Sequence, residues 1–171
     1  MKNLWVILVL VSMTGLAQNT VQPWNCSAPE FRQFDFWVGE WEVRDSSGTA
    51  VIGQNRIEKI HGGCALQENW VGSPGDTGTS LNTYYPPEKK WHQIWVSNNG
   101  ALLQISGEFK DGKMVLMGES VRPRLGVKVL NRVTWSLVGG NPDRVRQFWE
   151  VSRDGGTTWQ VDFDGLYVRK K

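Results

Sequence analysis

Turn chemistry recurs along this chain at short, regular intervals, and that spacing limits the fold more than any other feature. Asp45-Ser46-Ser47-Gly48, Asn98-Asn99-Gly100, Asp111-Gly112, Gly139-Gly140-Asn141-Pro142 and Asp154-Gly155-Gly156 all combine residues that accept left-handed backbone or bond their own turn. The intervening stretches, 40–45, 50–60, 64–71, 80–85, 90–97, 101–110, 113–120, 127–138, 144–152 and 157–169, are each the length of one strand. Sequential hairpins without long crossovers predict an all-β chain: a single antiparallel up-and-down barrel of about ten strands. The longest polar loops, 72–79 and 121–126, are expected at a rim. Helical signal is confined to one place. Ser27-Ala28-Pro29-Glu30 has the form of a capping box, and Phe31, Phe34 and Val38 follow at helical spacing, so one short N-terminal helix is expected around 28–36.

The first 17 residues read as a secretory signal. Lys2 supplies the positive end, Leu4 to Met13 the apolar run, and Gly15 and Ala17 the small residues before a cut at Gln18. The run is short for a membrane anchor, which takes about 20 apolar residues. The expected organisation is therefore a signal peptide at 1–17, an N-terminal segment with the short helix at 18–33, and a barrel domain at 34–171. The mature chain would be secreted or periplasmic and would carry no membrane span. Such a compartment makes Cys26 and Cys64 a candidate disulfide, with two buried thiols as the alternative. The chain carries 19 Lys and Arg against 17 Asp and Glu, too even a balance to argue for nucleic acid.

Ten Trp in 171 residues is a heavy load, and their neighbours are informative. Strand alternation puts Trp91, Gln93 and Trp95 on one face, and likewise Leu66, Glu68 and Trp70, Gln147 and Trp149, Asn82 and Tyr84, Asn55 and Ile57. If that face is the lumen, the lumen holds amides and one carboxyl among indoles. Buried amides need partners. Two outcomes fit: a packed core with an internal hydrogen-bond network, or a pocket for a small, partly polar ligand. The candidate ligand-binding set is Asn55, Glu68, Trp70, Asn82, Gln93, Trp95, Gln147 and Trp149. Glu68 is the one acid on this face. Burial would raise its pKa, which would make it a candidate acid or base. Glu150 alternates away from Gln147 and Trp149, so no glycosidase pair is placed, and no catalytic residue is assigned. His61 and His92 stand apart in different contexts. No nucleophile elbow, phosphate loop or dinucleotide fingerprint occurs, and neither cofactor nor metal is expected.

Two local motifs read as structural. Gly39-Glu40-Trp41 resembles the Gly-x-Trp that opens the first strand of lipocalin-like barrels, so Gly39 and Trp41 are expected to anchor one barrel end. Ser152-Arg153-Asp154-Gly155-Gly156-Thr157-Thr158-Trp159 resembles the Asp-box hairpin of sialidase-like propellers. Propellers carry several copies and this chain has one, so Asp154, Gly156 and Trp159 are expected to build a single self-capped hairpin.

Over most of residues 34–167 the chain resembles a family of exported bacterial lipocalin-like proteins with no established catalytic residues. The resemblance rests on Phe34-Asp35-Phe36-Trp37-x-Gly39-x-Trp41, Gly62-Gly63-Cys64-x-x-x-Glu68-x-Trp70, Ser80-Leu81-Asn82-x-Tyr84, Trp91-His92-Gln93-x-Trp95, the Ser152 to Trp159 hairpin and Phe163-Asp164-Gly165-x-Tyr167. It implies a closed barrel with an internal cavity. The Asn, Gln and Glu on the inner face depart from a purely apolar fatty-acid pocket. The leading expectation is a non-enzymatic ligand-binding barrel. The alternatives are a structural or protein-interaction barrel with a filled core, and an enzyme using Glu68 in the cavity.

Overall fold

The computed structural model describes residues 25–73, 75–122 and 126–171. The expected signal peptide and its cut at Gln18 lie outside the described residues. Ten antiparallel strands close into one barrel: β1 (Gly39–Arg44), β2 (Val51–Ile60), β3 (Ala65–Gly72), β4 (Thr77–Tyr85), β5 (Lys90–Ser97), β6 (Leu102–Lys110), β7 (Lys113–Arg122), β8 (Val127–Val138), β9 (Asn141–Ser152) and β10 (Gln160–Arg169). Each strand pairs with the next in sequence, and β1 closes the ring against β10. This is the up-and-down topology that the turn spacing predicts.

Three strands begin three residues earlier or later than expected. β4 starts at Thr77, so the loop before it is shorter than 72–79. β9 starts at Asn141 and includes Pro142, so the turn between β8 and β9 shrinks to Gly139-Gly140. Both of these glycines have positive φ, 59° and 72°, the conformation that lets a two-residue hairpin follow the sheet twist. β10 starts at Gln160, because the hairpin before it takes up residues through Trp159.

The helix expected around 28–36 takes the form of two short 3-10 turns, Pro29–Arg32 and Asp35–Trp37. The buried side chains explain the choice. Phe31, Phe34 and Trp37 recur every third residue and are all buried, matching the 3-10 repeat rather than the 3.6 of an α-helix. The expected capping box is not formed. Ser27 Oγ donates to Asn25 Oδ1 at 2.7 Å, and the residue preceding the first turn is uncapped by any side chain.

These turns plug one end of the barrel. Phe34 stacks on Trp37 with centroids 4.9 Å apart and meets Trp91 and Trp135 edge-on at 5.6 and 5.2 Å. Trp41 is fully buried, and its indole N–H donates to Trp37 O at 2.9 Å. The Arg169 guanidinium covers the Trp41 ring at 4.2 Å. Gly39 has a φ of 146°, and a Cβ there would lie 2.1 Å from Arg169 Nη1, so the glycine is required both for its backbone and for that cover. The Cys26–Cys64 disulfide ties the plug to the start of β3 across a sequence separation of 38. Arg32 reinforces it, donating to Cys26 O at 3.1 Å and to Gly63 O. No described helix is long and apolar enough to cross a membrane.

Candidate functional site

The other end of the barrel is open. Inward residues of β2, β3, β5, β9 and β10 surround a cavity of about 350 Å3. Strand alternation delivers them: the side chains at 66, 68 and 70, at 91, 93 and 95, and at 145, 147 and 149 all point inward from their strands. Of the eight candidate residues, Glu68, Trp70, Gln93, Trp95, Gln147 and Trp149 line this cavity. Asn55 and Asn82 are buried beneath it and hold the residues that do.

The floor is one connected hydrogen-bond network. Asn55 Nδ2 donates to Glu68 Oε1 at 2.7 Å and to the Tyr167 hydroxyl at 3.2 Å. Ser80 Oγ donates to Glu68 Oε2 at 2.6 Å. Asn82 Nδ2 donates to Ser80 Oγ at 2.9 Å, and Gln93 Nε2 donates to Asn82 Oδ1 at 2.7 Å. The Tyr167 hydroxyl in turn donates to Gln147 Oε1. The Asn55 side-chain oxygen is the one buried atom of the network without a protein partner.

Glu68 is the carboxyl at the centre of this floor, 5% exposed. Burial pushes its pKa up, while the hydrogen bonds from Ser80 and Asn55 pull it back. Burial also raises the Tyr167 phenol well above its ordinary value, and the neighbouring Glu68 charge adds to this. The remaining carboxyls that line the cavity, Asp76 and Asp162, lie at the open rim. Asp162 pairs with Arg122 at 2.6 Å. Among the described residues no group of three His, Cys, Asp or Glu side chains could hold a metal ion.

The walls are aromatic. Trp70 and Phe163 meet at right angles with centroids 6.0 Å apart, and Trp95 and Trp149 do so at 6.5 Å. Three of these rings lie on glycines. A Cβ added at Gly78 would lie 2.7 Å from three atoms of the Trp95 indole, so the ring sits flat over that residue. A Cβ would lie 2.4 Å from Trp70 at Gly53, 2.9 Å from Trp70 at Gly72 and 2.6 Å from Phe163 at Gly165. An inward-facing strand residue with any side chain would push each ring off the wall. Trp149 is held differently: its N–H donates to Asn131 Oδ1 at 3.1 Å, and Asn131 donates to Ser120 Oγ at 2.9 Å.

Sequence reasoning missed Ser80, Asn131, Phe163, Tyr167 and the glycine beds. Alternation through Val129, Asn131, Val133 and Trp135 would have found Asn131. An isolated glycine inside a strand pattern, as at Gly53 and Gly165, signals a close approach and was the available clue, whereas Gly78 fell in the stretch read as a loop. Phe163 alternates with Gly165 and Tyr167, and that parity was the available clue; the register shift in β10 between Val161 and Phe163 affects only the residues before it. The shift leaves Val161 outside at 60% exposure.

The Ser152 to Trp159 hairpin joins β9 and β10 at the open end. Asp154 Oδ1 accepts from the Thr157 and Thr158 amides at 3.1 and 2.9 Å, and Oδ2 accepts from the Thr158 hydroxyl at 2.7 Å. These bonds hold the Asp154 carboxyl well below the usual carboxylate range. Trp159 donates its N–H to Gly156 O at 3.0 Å and lies under the Arg132 guanidinium at 4.0 Å. The motif is a self-bonded turn that fixes one side of the rim. No family model matches the chain, and no curated protein matches it.

Proposed function

We propose that this protein is an exported, non-enzymatic binding barrel of lipocalin-like type, whose open end takes a small, partly polar ligand. The observation that carries the reading is the cavity itself. Its volume falls in the range of small-molecule sites, and its lining combines aromatic surface with a few fixed polar groups. Half-buried Trp70, Trp95 and Trp149 supply stacking area, and Gln93, Gln147, Tyr167 and Glu68 supply orientation. The network beneath holds these polar groups in place before any ligand arrives, which lowers the ordering cost of binding. A filled structural barrel would place side chains where this space lies. An enzyme reading has Glu68 but finds its nearest lining companions to be amides and a phenol, with Asp162 already paired to Arg122. Export is supported by the signal-like first 17 residues and by the disulfide.

Mass spectrometry of the protein purified without denaturation from an oxidising compartment tests the reading. The expected result is a released small molecule, and quenching or a shift of tryptophan emission when that molecule is returned to the stripped protein. Loss of the response in Trp95→Ala and Gln93→Ala, with the fold intact, would place the molecule in this cavity. A response unchanged in both variants would remove the cavity as the site.

A further inference from the structure

The proposed binding role leaves the ligand class open, and four features of the cavity narrow it. First, aromatic rings make up much of the wall, and Trp95 lies across Gly78, with three indole atoms 2.7 Å from where a Cβ would stand, so one face is against backbone and the other is toward the lumen. The face of an aromatic ring carries the negative end of its quadrupole. Second, among the described residues the lining contains three carboxyls, Glu68, Asp76 and Asp162, and no Lys, Arg or His. Third, most of the floor's donors are committed to protein acceptors: the amides of Asn55, Asn82 and Gln93, and the hydroxyls of Ser80 and Tyr167, with the Gln147 amide nitrogen left to face the cavity. An anionic ligand would meet a carboxyl and find these donors engaged. Fourth, the rim already holds one cation in this manner. Arg122 pairs with Asp162 while its guanidinium lies 6.0 Å from the Trp149 ring centroid. That pair neutralises Asp162 and leaves Glu68 and Asp76 uncompensated by any described basic residue of the lining.

Resting on the binding reading above, we propose that the cavity takes an organic cation of the methylated ammonium class, with its charge over the Trp70, Trp95 and Trp149 rings and directed toward Glu68. Methylation matters for a physical reason. A primary ammonium is strongly hydrated and needs acceptors for three N–H groups when it is buried. A quaternary ammonium has no N–H to satisfy, sheds water cheaply and spreads its charge over methyl groups that fit against ring faces. A buried, hydrogen-bonded carboxyl below supplies long-range attraction, with no competing lysine or arginine among the described wall residues.

The test compares choline with 3,3-dimethylbutan-1-ol, its uncharged carbon isostere, and with decanoate, by tryptophan fluorescence and calorimetry on the ligand-stripped protein. Choline is expected to bind at least about tenfold more tightly than the isostere, the order of preference a cation gains over aromatic faces. Decanoate is expected to bind most weakly. Glu68→Gln, checked for folding by near-ultraviolet circular dichroism, should weaken choline binding by a larger factor than isostere binding and so narrow the gap between the two. Equal binding of choline and the isostere, or tighter binding of decanoate, overturns the cation proposal and leaves the binding barrel standing. Absence of binding by all three overturns the cation proposal. If no small molecule is released from the purified protein either, the binding reading falls with it.

Discussion

The two ends of the barrel use the same residue for opposite purposes. At the closed end Trp37, Trp41, Trp91 and Trp135 are fully buried and touch one another or Phe34 and Tyr167. At the open end Trp70, Trp95 and Trp149 are half-buried, and two of the three rest on glycines. Neither sequence count nor hydrophobicity separates the two sets; what lies against each ring does. A ring packed between side chains contributes its transfer free energy and van der Waals contacts to folding. A ring laid on a glycine with space above it gives up part of that contribution and keeps a face available. The closed end even tolerates a cost, because the indole N–H groups of Trp37 and Trp135 are buried with no protein acceptor.

This contrast makes unequal demands on substitutions. The largest effect is expected at Trp41, whose removal empties a fully buried site beneath Arg169. Trp41→Ala should cost roughly 3–5 kcal/mol in urea unfolding. An unchanged midpoint would break the claim that this end carries stability. Reduction of the Cys26–Cys64 bond should cost up to about 4 kcal/mol by loop closure, and hydrogen exchange should show the loss concentrated in the plug around Phe31 to Trp37. Uniform loss of protection around the whole barrel would contradict the clasp role.

Two glycines sharpen the comparison. Gly107 sits opposite Trp91 at the closed end, and a methyl there would lie 2.0 Å from the Val115 carbonyl oxygen. Backbone cannot yield as a free ring can, so Gly107→Ala should cost about 1–3 kcal/mol. Gly78→Ala instead meets the Trp95 ring, which has the cavity to move into. It should cost less than about 1 kcal/mol while narrowing the site. Similar costs for both would mean that the open end is packed as tightly as the closed one.

A smaller effect is expected from pH. Burial raises the Glu68 pKa above its ordinary value of 4.5. Below that value both folded and unfolded states hold the proton. Above it the unfolded chain ionises first, so this group's contribution to stability declines as pH rises toward the folded pKa. Glu68→Gln should flatten the stability profile on the alkaline side of 4.5. A profile identical to that of the parent protein would show that Glu68 is not desolvated in solution.

Much of this was legible in the sequence, for reasons that differ by element. Turn residues fixed the strand number because their backbone demands are local. Parity placed Glu68, Gln93 and Trp149 inward because alternation survives any regular strand. The N-terminal helix was read with the wrong period: Phe31 and Phe34 fit both repeats, and only the burial of Trp37 distinguishes the 3-10 turn. The depth of each residue along the barrel was not legible, since alternation says which face a side chain takes and not how far it lies from an end. That is why Asn55 and Asn82 stand beneath the cavity while Trp70 and Trp95 line it. Phe163 was open to the same alternation with Gly165 and Tyr167, whereas the β10 bulge reverses the parity before it and turns Val161 outward.

The most direct test of the contrast needs no ligand. It is the unfolding free energy of Trp95→Ala measured beside Phe34→Ala under identical conditions. Phe34 is fully buried in the plug, and its loss should cost roughly 3–5 kcal/mol. Trp95 borders the cavity on a glycine bed, and its loss should cost less than half as much, about 1–2 kcal/mol, despite the larger side chain. Equal losses, or a greater loss at Trp95, would mean that the open end is a filled core.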